Sequence, residues 1–571
     1  MQIVDTVLQA FSEHTNLNFE EVKSLAERPP RPELGDLALP CFRLAKTLHK
    51  APALIAKEVS EGMNQRKEKS FDCKAAGPYV NVFFHRESFA QNLFEEIDKA
   101  EGFVDQRNIG NGKMVVIDYS SPNIAKPFHV GHAFTTLLGE ALAKLHEYLG
   151  YRVLRLNYLG DYGTQFGKLI SAWKRWGDNE ALESQPIKEL TRVYVKFHAE
   201  AEENPELEVE AREYFRKLEN GEEEEKNLWQ RFRDLSLEEF NRLYDRLGIR
   251  FDNYNGESFY SEFIPSVVEE LDSKGLLEES EGAQVVNLDE FNLNPCLILK
   301  SNGTTIYSSR DLASIKYRER TWNFDKNIYV VGQEQKNHFQ QVFAVLKKMG
   351  DPKADACVHV SFGRLRFEDE VFSTRKGNVI LLEDLLNETV AKVHEIIREN
   401  NHDEMSEEEM AETAEKVGLA TVKHSYLRNG REKDIIFSWE EMLDFDGDTA
   451  PYLLYTYARC KSLLRKSGLQ QNDLEKADVK LLIEDEEYFL LKEISQLQSA
   501  CESAVEEYEP CILMRQVTEI ARSFNRYYHQ SVILKLDDAE LRLARLALCN
   551  LVSKQMRFAL SLLGIDVVER M

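Results

Sequence analysis

The stretch from Lys113 to Gly150, KMVVIDYSSPNIAKPFHVGHAFTTLLGEALAKLHEYLG, constrains the fold more than any other part of the chain. Its apolar run Met114–Ile117 predicts a strand that ends on Asp118 and Tyr119. Ser120-Ser121-Pro122-Asn123 reads as a turn. After His129-Val130-Gly131-His132, apolar residues recur at helical spacing through Phe134, Leu137, Leu138, Ala141, Leu145 and Tyr148, and Gly150 ends the helix. Arg152–Asn157 reads as the next strand. Strand, polar turn, helix and strand within about 40 residues make the βαβ unit of a nucleotide-binding α/β domain. Ligands in such sheets sit at the carboxyl ends of the strands. There a helix N-terminus, with its unpaired N–H groups and positive dipole end, favours phosphate.

His129 and His132 lie three residues apart where that helix begins, which sets both imidazoles on one side of the first turn. Gly131 between them leaves room for a nucleotide to lie on the backbone. Two donors aimed at one phosphate stabilise the charge that builds when a nucleophile attacks an α-phosphate and pyrophosphate leaves. An isolated HxGH serves equally well as a pair of helix-cap histidines. The flanking strands and the Pro122-Asn123 turn favour the phosphate reading.

A chain of 571 residues is too long for one core, so roughly two to four domains are expected. A formal net charge of −26 argues against holding nucleic acid by bulk charge. Any RNA contact must come from local basic faces. The eight cysteines form no CxxC pair and no cluster with zinc-site spacing, so thiols in a reducing compartment are expected and no metal site. The N-terminus lacks a signal pattern and no apolar run is long enough to span a bilayer. The expectation is a soluble cytoplasmic protein with no membrane partner.

The wording DYSSPNIAKPFHVGH, followed by NYLGDYGTQFG at Asn157–Gly167, resembles the class I aminoacyl-tRNA synthetases, and the arginyl-tRNA synthetases in particular. The resemblance continues through most of the chain to the closing GIDVVERM. It implies a multidomain protein. An α+β N-terminal module over residues 1–105 would touch the tRNA elbow. A Rossmann-like α/β catalytic domain would span 106–445, with a helical insertion at about 170–285 over the acceptor end. An all-helical anticodon-binding domain would fill 446–571. The implied substrates are L-arginine, ATP with Mg²⁺, and the arginine-accepting tRNA, and the implied oligomeric state is a monomer. Arginyl-adenylate and pyrophosphate form first, and arginine then passes to the 3′ end of the tRNA. The family also implies that tRNA binds before arginine is activated.

Local patterns agree with these parts. Val4, Val7, Leu8 and Phe11 predict an opening amphipathic helix, Ala51–Ala56 starts another, and Ala75–Phe84 reads as one alternating strand. The acidic run Glu222–Glu225 in the insertion reads as a solvated face. Cys296–Lys300 and Thr304–Tyr307 read as strands around a Ser301-Asn302-Gly303 turn, with Asp311 in the first turn of the next helix. Further strands are expected at Asn327–Gly332 and Val358–Gly363. Asp448-Thr449-Ala450-Pro451 starts a helix on which Tyr452, Tyr455 and Tyr457 interleave with Arg459, Lys461 and Arg465. Arg515, Arg522 and Arg526 share one helical face. A solvated face over a tyrosine-rich core is the alternative to RNA binding there.

The resemblance assigns roles residue by residue. Asp118, Tyr307 and Asp311 match residues that hold the substrate guanidinium, a planar cation suited to carboxylate and hydroxyl acceptors. Tyr307 as strand core and Asp311 as a helix cap are the plain alternatives. Ser121, Asn123 and Gln335 match those holding the α-amino end. His129, Gly131 and His132 face ATP, with Gly363 near the adenine and Ser373 on the second signature loop. That loop, Phe372-Ser373-Thr374-Arg375-Lys376-Gly377-Asn378, departs from the class pattern: Thr374 stands where the second signature lysine belongs, and Val371 where the first does. Lys126 is the expected substitute cation, with Arg375 and Lys376 next. His338 reads as structural. A cysteinyl relative would carry a cysteine-rich zinc site, and a silent tRNA-binding paralogue would lack an intact histidine pair. A small-molecule adenylyltransferase would not need the helical C-terminal part.

Overall fold

Met114–Asp118 (β1), Arg152–Leu156 (β2), Lys326–Gly332 (β3) and Cys357–Phe362 (β4) form a parallel sheet in the order β4-β3-β1-β2. The computed structural model describes residues 2–67, 69–99, 108–367, 380–399, 405–444 and 447–571. β1 lies at the centre, and its Val115, Val116 and Ile117 are fully buried, as a strand covered on both faces requires. The helix Val130–Tyr148 (α1) carries the chain from β1 to β2. β3 then pairs on the other side of β1, so Asp118 lies opposite both Leu156 and Tyr329. That change of direction makes the carboxyl end of β1 the place where ligands settle. The helices Tyr307–Trp322 (α2) and Lys336–Lys348 (α3) flank β3 in the chain.

The insertion between β2 and β3 starts earlier and ends differently than expected. Phe166, Leu169, Ile170 and Trp173 line one buried face of a helix that already begins at Thr164, and helices continue to Ser273. A three-stranded antiparallel sheet, Glu278–Ser280, Ala283–Val286 and Cys296–Leu299, closes the insertion. The acidic run is not wholly solvated: Glu225 is buried and takes a 2.8 Å ion pair from Lys174. Tyr307 opens α2 instead of ending a strand, because Ser309 caps the turn by accepting the Ile306 N–H at 3.1 Å. Asp311 therefore lies in the second turn and caps nothing.

In the N-terminal part, Leu37–Pro40, Phe71–Ala76 and Tyr79–Phe84 form an antiparallel sheet under the helices Gln2–Thr15 and Pro52–Asn64. The expected single strand over Ala75–Phe84 is the turn and second arm of a hairpin, folded at Gly77 (φ +60°) and Pro78 so that Ala76 faces Tyr79. The C-terminal helices share one core with Ile3 and Phe89. Lys492 and Asp36, paired at 2.7 Å with both side chains nearly buried, tie the two ends of the chain together. Thr449 caps the helix Ala450–Ser467 as expected.

Candidate active site

Past the end of β1 the backbone is strained. Ser120 and Ser121 both have left-handed φ values, +70° and +45°. Such geometry persists only where the surroundings impose it. The Ser120 N–H donates to Thr135 Oγ1 at 3.1 Å, and the Ser121 N–H to Asn157 Oδ1 at 3.1 Å. Tyr244, from the long insertion helix, bonds both Ser120 Oγ (2.7 Å) and Asn157 Nδ2 (3.1 Å). The insertion thus sets the shape of the turn. Asn123 lies alongside Gly160 of the segment after β2, in a short parallel bridge.

His129 is the N-cap of α1 and His132 its third helical residue. His129 Nδ1 accepts the Gly131 N–H at 3.0 Å, and the His129 N–H donates to His132 Nδ1 at 3.3 Å. With each Nδ1 used as an acceptor, a neutral ring carries its proton on Nε2, as a donor pointing away from the backbone. Burial, with Lys126 nearby, holds His129 down at about 4, and burial with His129 and Lys126 alongside holds His132 well below its ordinary value. Both rings are neutral donors at pH 7. Gly131 is required for a different reason from the one its position suggested: a Cβ there would sit 2.9 Å from the His129 ring.

Lys126 is half-buried, 6.0 Å above the Tyr194 ring, and burial lowers its pKa. Among the described residues Lys126 makes no ion pair, and its contact is with that ring. Ser373, Arg375 and Lys376 lie outside the described residues. The segment just after them does return to the histidines: the Val130 N–H donates to Ile380 O and the Leu382 N–H to Phe128 O, at 3.2 and 3.1 Å. Gly363, after β4, packs on the backbone of Lys433, where a Cβ would come within 2.6 Å of the carbonyl oxygen.

Across the sheet end, Asp118 is already engaged. Its Oδ2 accepts from Arg318 Nη2 at 2.6 Å and its Oδ1 from Ser121 Oγ at 3.0 Å. Arg318 is fully buried and ringed by Tyr158, Tyr260 and Tyr329, 5.1–5.9 Å from each ring centre. Asp311 Oδ2 bonds His338 Nε2 at 2.6 Å. His338 thereby joins α2 to the start of α3, where Gln335 is exposed. Tyr307 is 66% exposed and lies under the Arg310 guanidinium, 5.0 Å away. Glu257 of the insertion approaches Arg310 to 3.9 Å, and burial, with Asp311 and Asp161 nearby, pushes its carboxyl up to about 7.

The structure therefore brings Asp118, Ser121, Asn123, His129 and His132 to one sheet end, with Asp311 beside Asp118. It adds Arg318 and Glu257, which the sequence reading passed over, and His338, which it read as structural. Arg318 was visible only as one of several bases on that helix, seven residues beyond Asp311 on the same helical face. His338 stands three residues beyond Gln335. Nothing in the sequence marked Glu257.

In the C-terminal helices the expected arginine face is largely neutralised. Arg522 pairs with Glu519 at 2.7 Å and Arg526 approaches Glu486 to 3.8 Å, while Arg515 turns back on Cys511. Arg459 instead lies between the rings of Tyr455 and Tyr528, 4.8 and 4.7 Å away, with Asn525 as its hydrogen-bond partner. Tyr455 is exposed.

The family model described as tRNA synthetases class I (R), catalytic domain, matches residues 97–439. The arginyl-tRNA synthetase N-terminal domain matches residues 1–84, and the DALR anticodon binding domain residues 453–571. An arginine–tRNA ligase of Clostridium perfringens is 49% identical over 565 residues, 99% of each chain. One of Halothermothrix orenii is 48% identical, covering 100% of this chain and 99% of that one. Among solved structures, the arginyl-tRNA synthetase of Thermus thermophilus superposes with a TM-score of 0.81 at 24% identity, over 99% of each chain, a likeness of fold.

Proposed function

The chain belongs to the arginyl-tRNA synthetase family, and on that premise we propose how its residues carry the reaction. It is an ATP-dependent ligase that joins arginine to tRNA. In the first step an arginine carboxylate oxygen attacks the α-phosphorus of ATP, the bond to the bridging oxygen breaks, and pyrophosphate leaves with its electron pair. In the second, a hydroxyl of the 3′-terminal ribose attacks the activated carbonyl and AMP leaves.

One observation carries the assignment of the chemistry: both Nδ1 atoms of the histidine pair are occupied by backbone N–H groups. His129 and His132 then present Nε2–H to the α-phosphate from a helix N-terminus, positioned before charge develops. Lys126, which makes no ion pair among the described residues and acts on His129, supplies the cation that Thr374 cannot, with Arg375 and Lys376 of the second signature loop acting on the departing phosphates. Gly131, Gly363 and Ser373 lie along the nucleotide. Tyr307 and Asp311 take the guanidinium, and Asp118, held by Arg318, forms the wall behind it. Ser121, Asn123 and Gln335 hold the α-amino end.

Among the described residues no three His, Cys, Asp or Glu side chains come together as a metal cage. A magnesium ion would arrive on the triphosphate, whose oxygens and water supply its ligands, and would neutralise phosphate charge there. We divide the chain at about 105 and 445 into an elbow-contacting module, the catalytic domain and the anticodon-binding domain. Arg459 with Tyr455 and Tyr528 offers a stacking and phosphate-binding surface for unpaired bases. No helix among the described residues is long and apolar enough to cross a membrane, and all eight cysteines are buried thiols. A cytoplasmic location and a monomeric state are proposed from the family resemblance alone.

Arginine-dependent ATP–pyrophosphate exchange, with and without tRNA and with lysine and cysteine as controls, tests the reading. Exchange with arginine alone among the amino acids, and only with tRNA present, is expected. Exchange without tRNA would remove the coupling and keep the activity. No exchange under any condition would overturn the catalytic assignment.

A further inference from the structure

We infer that Tyr158 is a further residue of the arginine pocket, its hydroxyl accepting a hydrogen bond from the substrate guanidinium beside Asp311. This rests on the pocket reading above. Tyr158 stands two residues past the end of β2, where Leu156 lies opposite Asp118. Its ring stacks on Tyr260 of the insertion, 5.5 Å away and 22° from parallel, and faces the Arg318 guanidinium at 5.7 Å. The ring is thus fully used in packing. Its hydroxyl is not: it is buried and has no hydrogen-bond partner among the described residues. Leaving a buried hydroxyl unpaired is costly, so such an atom marks a place that something else fills.

The surroundings say what fills it. The charges acting on the hydroxyl are Asp311, Glu257, Arg310 and Arg318, and burial with the two carboxylates pushes its ionisation far up. It is therefore a neutral hydroxyl within the influence of the charged groups assigned to the pocket. The nearby carboxylates are largely spoken for: both oxygens of Asp118 accept from Arg318 and Ser121, and Asp311 Oδ2 bonds His338. Among the described residues the side chain of Asp311 bonds through Oδ2 alone, to His338, which leaves Oδ1 free. A planar guanidinium with five donors then has that oxygen and the Tyr158 hydroxyl to add to Tyr307 as acceptors. One charged and one neutral acceptor also suit a single positive charge, since a further free carboxylate would have to be desolvated unpaired.

Tyr158→Phe tests this, because removing an unpaired hydroxyl while keeping the ring should not destabilise the ligand-free protein. The expected result is a ligand-free Tm equal to or above that of the wild type, with the arginine KM raised about three- to tenfold in aminoacylation at saturating tRNA. The ATP KM and kcat should stay within about twofold. An unchanged arginine KM overturns the inference, and so does a lowered Tm with the arginine and ATP KM values rising together, which is the behaviour of a structural hydroxyl. Asp311→Asn, measured alongside, separates the two levels. If it too leaves the arginine KM unchanged, the pocket reading fails. If it raises that KM and Tyr158→Phe does not, only the role of Tyr158 falls.

Discussion

The imidazole rings of His129 and His132 stack with centroids 3.8 Å apart and planes 24° from parallel, each Nδ1 bonded to a backbone N–H of the same helical turn. Protonating either ring would break its backbone bond and set a second cation beside Lys126. The pair is built to stay neutral, and neutral imidazoles donate to phosphate without first surrendering a proton.

This neutrality has a pH signature. Burial holds the His129 ring down at about 4 in the folded protein, so it gains its second proton only near that pH, while an unfolded histidine does so below about 6.5. Between those values the unfolded chain binds more protons, so stability rises with pH: it is present in full above about 6.5 and lost as the pH falls toward 4. His129→Asn keeps an N-cap side chain but does not titrate. Denaturant unfolding at pH 7, 5 and 4 should show the wild type losing more stability than His129→Asn. Parallel losses would remove His129 as a source.

Lys126→Ala should slow arginine activation by more than about tenfold, the equivalent of roughly 1.4 kcal/mol in the barrier. The arginine KM should change little, because the charge of Lys126 acts on the two histidine rings. Pre-steady-state adenylate formation measures this directly. A loss smaller than tenfold assigns the cation's task to the loop that carries Arg375 and Lys376.

Gly131→Ala separates helix stability from ring position. Alanine is the better helix former by about 1 kcal/mol. Its Cβ, however, would meet His129 at 2.9 Å and force the ring aside. Thermal unfolding should therefore shift little, while exchange activity falls about tenfold or more, since displacements near 1 Å are that expensive for oriented groups. Full activity would mean that the His129 ring is free to move without consequence.

Arg318→Met removes one partner of a buried pair and leaves Asp118 uncompensated, a change that costs about 3–5 kcal/mol. Asp118→Asn on the same background should recover part of that loss, as coupled partners do. Urea titration of the single and double variants gives the coupling. Additive losses would show that the two side chains do not depend on each other.

Part of this was legible along the chain. The apolar run Met114–Ile117, the turn, the HxGH and the helical spacing after it are local features, and periodicity reports local structure well. They determined the βαβ unit, the place of the histidines at a helix start, and, with the longer resemblance, the family. Tyr307 and the Ala75–Phe84 run were misread because one capping serine and one Gly-Pro turn decided between strand and helix or between one strand and two. The use of Gly131 to clear His129, the Arg318 clamp on Asp118, the His338 bond to Asp311 and the unpaired Tyr158 hydroxyl were decided only by the tertiary structure. Each joins residues from separate strands, helices or the insertion, or depends on which atoms remain unpaired after packing. Sequence order carries neither the distances that make those bonds nor the burial that makes an unpaired hydroxyl costly.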